Sequence, residues 1–504
     1  MSADALAPKL RSYVEAGGAR VLLLAARVVL PPLLLASVGA PAMGLWALCF
    51  VLLGSIGAQG VGLTPWVVTA VSRAWRGGDG ASLSRRASQG VVVLGLAWLA
   101  LTALAALTVP DLVALVGVPP EQRATAQGLF CAALALFVFD GTLGAFMSLL
   151  PAIGRDRLQT RLWLAAVALE TVLAVALLLA GAGLWGLMAA FAVRQLVMAL
   201  AVLRALARAL PGLRIVPRWP EAGEWRQWRA ALSLQPLVSL LEVVGQSADR
   251  WLAALWLGPA AVAWFDLGGK FSIAALAVPA AMAALLLPAC SAAMARADHH
   301  AASTELQRGL GLVVAACALI YPLFGALGAP LSLLWLGNAP EREVVAALML
   351  PMALACHAQA LVLPWIAYER AHGGAHAGLL HAALRPLLAL GFGLVAVRLG
   401  GGAVGLAWAV AAANVVALAL IVMRQRPGAA LLKTMAAPTL LGHLSAAGWA
   451  ALALGHTGPG RSGALLALAA TALPHLAGGA ALLWRARPRN AGVPAGLRVA
   501  RAQP

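Results

Sequence analysis

The chain has 504 residues, 62% of them hydrophobic and 11% charged, with a mean hydropathy of +0.89 and a formal net charge of +18. A soluble protein of this length could not hide so much apolar surface, so a polytopic membrane protein is expected. The basic excess sits in short connections between apolar runs, which excludes the nucleic-acid reading that a single basic patch would invite.

The apolar runs are continuous and about 20 residues long, as helices crossing a bilayer require. Barrel strands would alternate with period two instead. The pattern predicts fourteen spans, at about 19–40, 43–70, 89–109, 124–150, 161–180, 184–206, 231–250, 259–290, 308–328, 344–368, 376–398, 402–423, 434–454 and 462–484. Lys9, Arg11 and Arg20 precede the first run, and residues 36–40 have the small side chains of a cleavage site. Arg27 inside that run argues against a signal peptide, so the run is read as an uncleaved first span.

With the N-terminus cytoplasmic, only Arg123, Arg250, Arg342, Arg398 and Arg461 fall in outer connections. Arg27, Arg194, Lys270 and Arg385 fall within spans, and the rest of the 36 Lys and Arg lie inside. That asymmetry predicts a bacterial inner-membrane protein with both termini cytoplasmic.

The largest connection, about 204–230, is cytoplasmic. Its end places Trp225, Trp228 and Leu232 on one helical face, which reads equally as an amphipathic interfacial helix or as a plain linker with Trp anchors. The expected division is an N-terminal lobe (1–206), a linker (207–230), a C-terminal lobe (231–424), and helices 13 and 14 with a basic tail (425–504).

An internal repeat supports two lobes. Val38–Trp46 resembles Leu257–Phe265, pairing Gly39 with Gly258. Gly181–Leu187 resembles Gly400–Leu406, pairing Gly186 with Gly405. Both matches have the same offset of 219 residues. Six helices per copy is an even number, so both copies enter the bilayer in one direction and a pseudo-two-fold axis along the membrane normal follows.

The chain is organised around Leu241–Phe271. Glu242, Gln246 and Asp249 share one face of an apolar helix, and Asp266 and Lys270 share a face of the next. Charges in such helices are costly and persist where they face a bundle interior or a wet cavity. Asp140 and Glu170 are further intramembrane acids. Under the 219 offset Arg27 maps to Gln246 and Asp140 to Gln359, so these positions are expected to face one lumen from opposite lobes.

Cys49, Cys131, Cys290, Cys317 and Cys356 lie in apolar stretches without metal spacing and read as core residues. His372, His376 and His381 lack a completing Cys or acid and read as a wet loop edge rather than a metal site. His357 reads as a core histidine or a path-lining one. No GxxxxGK[ST], HExxH or GxSxG occurs, so neither a built-in ATPase nor those hydrolase sites are expected. A membrane glycosyltransferase or polysaccharide polymerase is the rival class, but the outer connections are short and weakly charged.

The segment from Gly245 through Ala295 carries Asp249-Arg250, then Leu257-Gly258-Pro259, then Pro288. It resembles helices seven and eight of the polysaccharide transporters, the Wzx-type O-antigen and exopolysaccharide flippases of the multidrug/oligosaccharidyl-lipid/polysaccharide (MOP) superfamily. SVGAPAMGLWALCF and MSLLPAIGRDRLQTRLW resemble that family's first turn and fourth-helix exit. The resemblance covers about Gly17 to Arg426 and departs at Trp264, Phe265 and Asp266. It implies an all-α, MATE-like fold and no enzyme activity or resident cofactor. Its implied cargo is a polyprenyl-diphosphate-linked glycan moved by alternating access with H+ or Na+ coupling or by the membrane potential. Membrane lipids, a polysaccharide polymerase and a chain-length regulator would be partners. Arg27, Lys270, Arg194 and Arg385 would then hold the diphosphate, and Asp140, Glu242, Gln246, Asp249, Asp266 and Gln359 would line the lumen or couple an ion. The bland reading stands beside each: Lys270 has Asp266 one turn away, and Arg194 and Arg385 could snorkel. A drug/cation antiporter or a flippase for lipid-linked peptidoglycan precursor has the same architecture.

Overall fold

A computed structural model describes residues 28–54, 63–216, 218–221, 235–374, 376–425, 429–458 and 460–485. In chain order the helices are α1 (Val28–Gly54), α2 (Leu63–Arg76), α3 (Gly80–Leu115), α4 (Pro120–Ala152), α5 (Asp156–Leu179) and α6 (Gly183–Ala209). They continue with α7 (Gln235–Gln246), α8 (Ala248–Leu257), α9 (Pro259–Ala275), α10 (Ala277–Met294), α11 (His299–Ala326) and α12 (Gly328–Leu336). The last are α13 (Arg342–Ala371), α14 (His376–Arg398), α15 (Gly402–Gln425), α16 (Ala429–His456) and α17 (Arg461–Arg485). No strand occurs among the described residues. Arg27 and the Trp225–Leu232 segment lie outside them.

Twelve helical runs among the described residues are long and apolar enough to cross a membrane. One of them, α1, holds Gly39 at φ 76°, which no continuous right-handed helix permits. Val28, Pro31 and Leu34 before that glycine line the same cavity as Met43, Ala47 and Phe50 after it, so the chain doubles back there. A further crossing, residues 235–257, escapes the twelve because it breaks at Ser247 into α7 and α8. Counting both features reconciles the twelve runs with the fourteen expected spans. Leu107, Leu285 and Leu399, at 77%, 77% and 82% exposure, belong to an outer surface made for hydrocarbon.

The 219-residue repeat reappears in the backbone angles. Gly39 and Gly258 have φ 76° and 85°; Gly154 and Gly373 have 77° and 76°. Gly181 and Gly400 both have φ 78°, and Gly183 and Gly402 have 57° and 53°. Gly78 (φ 68°) has as its twin Ala297 (φ 54°), the one non-glycine in this region among the described residues. Asp79 and Asp298 follow them and cap α3 and α11, accepting from the Ser82 and Ala301 N–H groups at 2.9 and 2.8 Å. Such caps satisfy N–H groups that the first helical turn leaves without a partner. The Ser82 bonds hold the Asp79 carboxyl below its ordinary range.

Packing explains how the two copies meet. The turns at Gly39, Gly117, Gly181, Gly258, Gly337 and Gly400 mark the arginine-poor end. Near it one apolar cluster joins Leu48, Val113 and Phe130 of the first copy to Ala253, Val262 and Leu406 of the second. Another joins Leu35, Met43 and Leu187 to Leu267 and Met349. Gly44 has no room for a side chain, since a Cβ would fall 1.7 Å from the Pro259 carbonyl oxygen. Toward the arginine-rich end the clusters are separate: one spans Val71 to Leu210, the other Leu286 to Met435. Among the described residues, the apolar clusters shared by both copies therefore lie toward one end.

Candidate functional site

Beneath this apolar seal lies a cavity of about 530 Å³ between the bundles. Its first wall is aromatic. Trp46, Phe50 and Trp163 line it, with Trp46 and Phe50 edge to face at 4.9 Å and Phe50 against Phe191 at 5.6 Å. Arg194 also lines this side, 4.6 Å over the Phe191 ring and paired with Glu170 at 3.2 Å. Asp140, half-buried on α4, acts electrostatically on Glu170 but is not part of the cavity wall.

The opposite wall is charged and is built on the chain's central hairpin. Arg250 lies eight residues before Gly258, about 12 Å along α8. Asp266 and Lys270 rise on α9 beyond the same turn. The Asp266 carboxylate receives Lys270 Nζ at 2.5 Å and faces Arg250 Nη2 at 3.6 Å. Arg250 Nη1 stands 3.8 Å from Asp249. Ser247, at the break between α7 and α8, completes this wall. Helix breaks of this kind bring backbone polar groups to a membrane-depth cavity.

Behind that wall is a smaller polar pocket of about 40 Å³ inside the second bundle. Gln246, Asp249, Gln359, Arg385 and Asn414 line it. Arg385 is 4% exposed and donates to the Glu242 carbonyl oxygen at 3.5 Å. Asp249 Oδ1, Arg385 Nε and Asn414 Oδ1 are buried without hydrogen-bond partners. The pocket has the volume to hold water against them. The Glu242 carboxylate points elsewhere, to Arg370 at 3.3 Å. Lys270, Asp266, Arg250, Asp249 and Arg385 thus form a row of alternating charge from the cavity into the second bundle.

The sequence expectations divide accordingly. Arg194, Asp266 and Lys270 line the central cavity. Gln246, Asp249, Gln359 and Arg385 line the smaller pocket, so Gln246 and Gln359 do not face a lumen shared by both copies. The cations at the cavity are paired rather than bare: Lys270 pairs with Asp266 and Arg194 with Glu170. Arg250, assigned from sequence to an outer connection, is a half-buried member of the wall. The signal that could have found it is the segment Trp251–Leu257, too apolar for a loop. The aromatic wall was also missed: Trp46 and Phe50 sit one turn apart on α1, but only packing brings Trp163 of α5 to join them. His357 packs in the second bundle between Tyr321 and His443, at 5.4 and 5.2 Å, and lines neither cavity.

No family model and no curated protein matches the sequence. Solved structures match the fold. The chain is similar to the lipid II flippase MurJ in an inward closed conformation, with TM-score 0.73 and 11% identity over 94% of this chain and 98% of that one. It is similar to a multidrug resistance MATE family transporter of the MOP superfamily in its inward-facing conformation, with TM-score 0.70 and 16% identity over 82% and 96%. Against an outward-facing conformation of such a transporter the score is 0.56 at 16% identity, over 82% and 96%. The chain therefore shares the fold of these transporters.

Proposed function

We propose that the chain is a flippase that moves a polyprenyl-diphosphate-linked oligosaccharide from the cytoplasmic to the periplasmic leaflet of a bacterial inner membrane. The divided wall of the central cavity carries this reading. Trp46, Phe50 and Trp163 offer ring faces and edges against sugars. Arg250 and Lys270 share the carboxylate of Asp266. A diphosphate bears more negative charge than that carboxylate and has oxygens enough to take both cations at once. Asp266 is then the resident counter-ion that keeps the empty cavity from holding bare charge.

Transport follows from rocking one bundle against the other about the seal, with the site open first to the arginine-rich, cytoplasmic end. The sequence holds no P-loop, so a proton or sodium gradient or the membrane potential drives the cycle.

A second reading, a flippase for lipid-linked peptidoglycan precursor, is favoured by one observation. The MurJ likeness extends over 94% of the chain, whereas the MATE likeness stops at 82%. The cationic side chains at the cavity weigh against a drug/cation antiporter. The test is reconstitution of the purified protein in vesicles with lipid-linked oligosaccharide, lipid II or a cationic dye. Translocation of the first, impaired by Arg250→Gln, supports the proposal. Translocation of lipid II alone selects the second reading, and movement of the dye alone sinks both.

A further inference from the structure

A second large cleft, of about 800 Å³, lies away from the central cavity, between α12–α13 and the α16–α17 hairpin at the arginine-poor end. Its lining is layered. Asn338, Arg342 and Thr457 lie at helix ends or in the turns. Arg461 joins them: its Nη2 lies 3.0 Å from where a Cβ on Gly337 would stand. One turn deeper on each element the lining is mainly apolar, with Leu333, Ala346, Leu454 and Ala464 beside Ser332, whose hydroxyl donates to the Ala329 carbonyl oxygen. The hairpin wall continues outward into Leu452, Leu465 and Leu466, all more than half exposed.

Arg342 in the lining and Arg461 beside Gly337 therefore stand at the rim of a mainly apolar floor that opens onto hydrocarbon-facing surface. The Glu343 carboxylate lies 3.6 Å from Arg342, but its side chain is 88% exposed, so water screens the pair. A water-soluble anion has no use for the floor, and a neutral lipid has none for the guanidinium groups. An amphiphile with an anionic phosphate head and acyl chains matches both layers, head at the turn level and chains inward.

We propose that this cleft binds an anionic phospholipid of the leaflet at the arginine-poor end, with Arg342 and Arg461 holding its phosphate. The site is separate from the transport cavity and stands whether or not the flippase reading does.

The test is native mass spectrometry of the full-length protein released from nanodiscs of equal phosphatidylglycerol and phosphatidylcholine. The wild type should retain phosphatidylglycerol in preference. Arg342→Gln/Arg461→Gln should reduce that retention at least about tenfold, as loss of two charge-assisted contacts implies. Leu454→Asp, which keeps both arginines but charges the floor, should also lose it. Arg398→Gln, an exposed arginine at the same end outside the cleft, should not. Equal retention of both lipids, an unchanged double variant, or an equal loss in Arg398→Gln would overturn the proposal. Displacement of the lipid by millimolar inorganic phosphate would overturn it too, by marking a site for free anion.

Discussion

At the scale of single residues, the pair Gly78 and Ala297 shows how a duplicated turn constrains each copy. Ala297 sits at φ 54°, where a Cβ crowds the following carbonyl. Ala297→Gly should stabilise the protein by about 1 kcal/mol and Gly78→Ala should cost about as much, read as opposite shifts in thermal midpoint. The neighbouring cap has a pH signature. Because the folded protein depresses the Asp79 carboxyl, its contribution is full at neutral pH and fades as pH falls through that lowered value. Asp79→Asn keeps an acceptor and should remove this acid limb from the stability profile. Arg250 differs in kind: its side chain is 13% exposed and faces two carboxylates. Arg250→Met should lower stability by about 3 kcal/mol, because the buried Asp249 and the half-buried Asp266 lose their shared partner. A thermal melt in detergent reads that loss. The intramembrane acids and bases were legible in the sequence as costly exceptions. Their pairing was not, since Glu170 and Arg194 lie on different helices and only packing brings them to 3.2 Å.

Among the elements, the α16–α17 hairpin is held to the second bundle by close backbone approach and by a stack of rings. A Cβ on Gly442 would fall 2.5 Å from the Ala318 carbonyl oxygen. His443 of α16 stacks on His357 of α13, which stacks on Tyr321 of α11. His443→Ala should weaken this seam by about 1–2 kcal/mol. Amide hydrogen exchange should then rise in α16 and α17 while α8 and α9 keep their protection. From sequence His357 has two readings and His443 none, because a stack across three helices leaves no periodicity within any one of them. The fold of α1 at Gly39 shows the reverse case. Its likeness to the Gly258 turn, one repeat later, was readable before any coordinates, and both residues adopt the same left-handed conformation.

The whole molecule is two similar bundles joined at one end, and its conformation should be readable by access. In a cysteine-free background, Ser247→Cys in the cavity wall should react with a polar thiol reagent from the arginine-rich side and resist it from the other. Gly44→Val forces a side chain toward the Pro259 carbonyl and should pry the seal apart, so that labelling from the arginine-poor side rises. Labelling of Ser247→Cys from neither side would contradict a one-ended cavity. The sequence by itself determined the membrane class, the crossings, the two-fold repeat and the identity of most intramembrane charges, because these follow from composition, run length and an offset that local turns repeat faithfully. Only the tertiary structure decided which charges neutralise one another, which polar residues line the central cavity and which the pocket behind it, and toward which end the copies share their apolar clusters. Those depend on distances between helices far apart in the chain, and helix-to-helix packing, rather than any pattern along one segment, sets such distances.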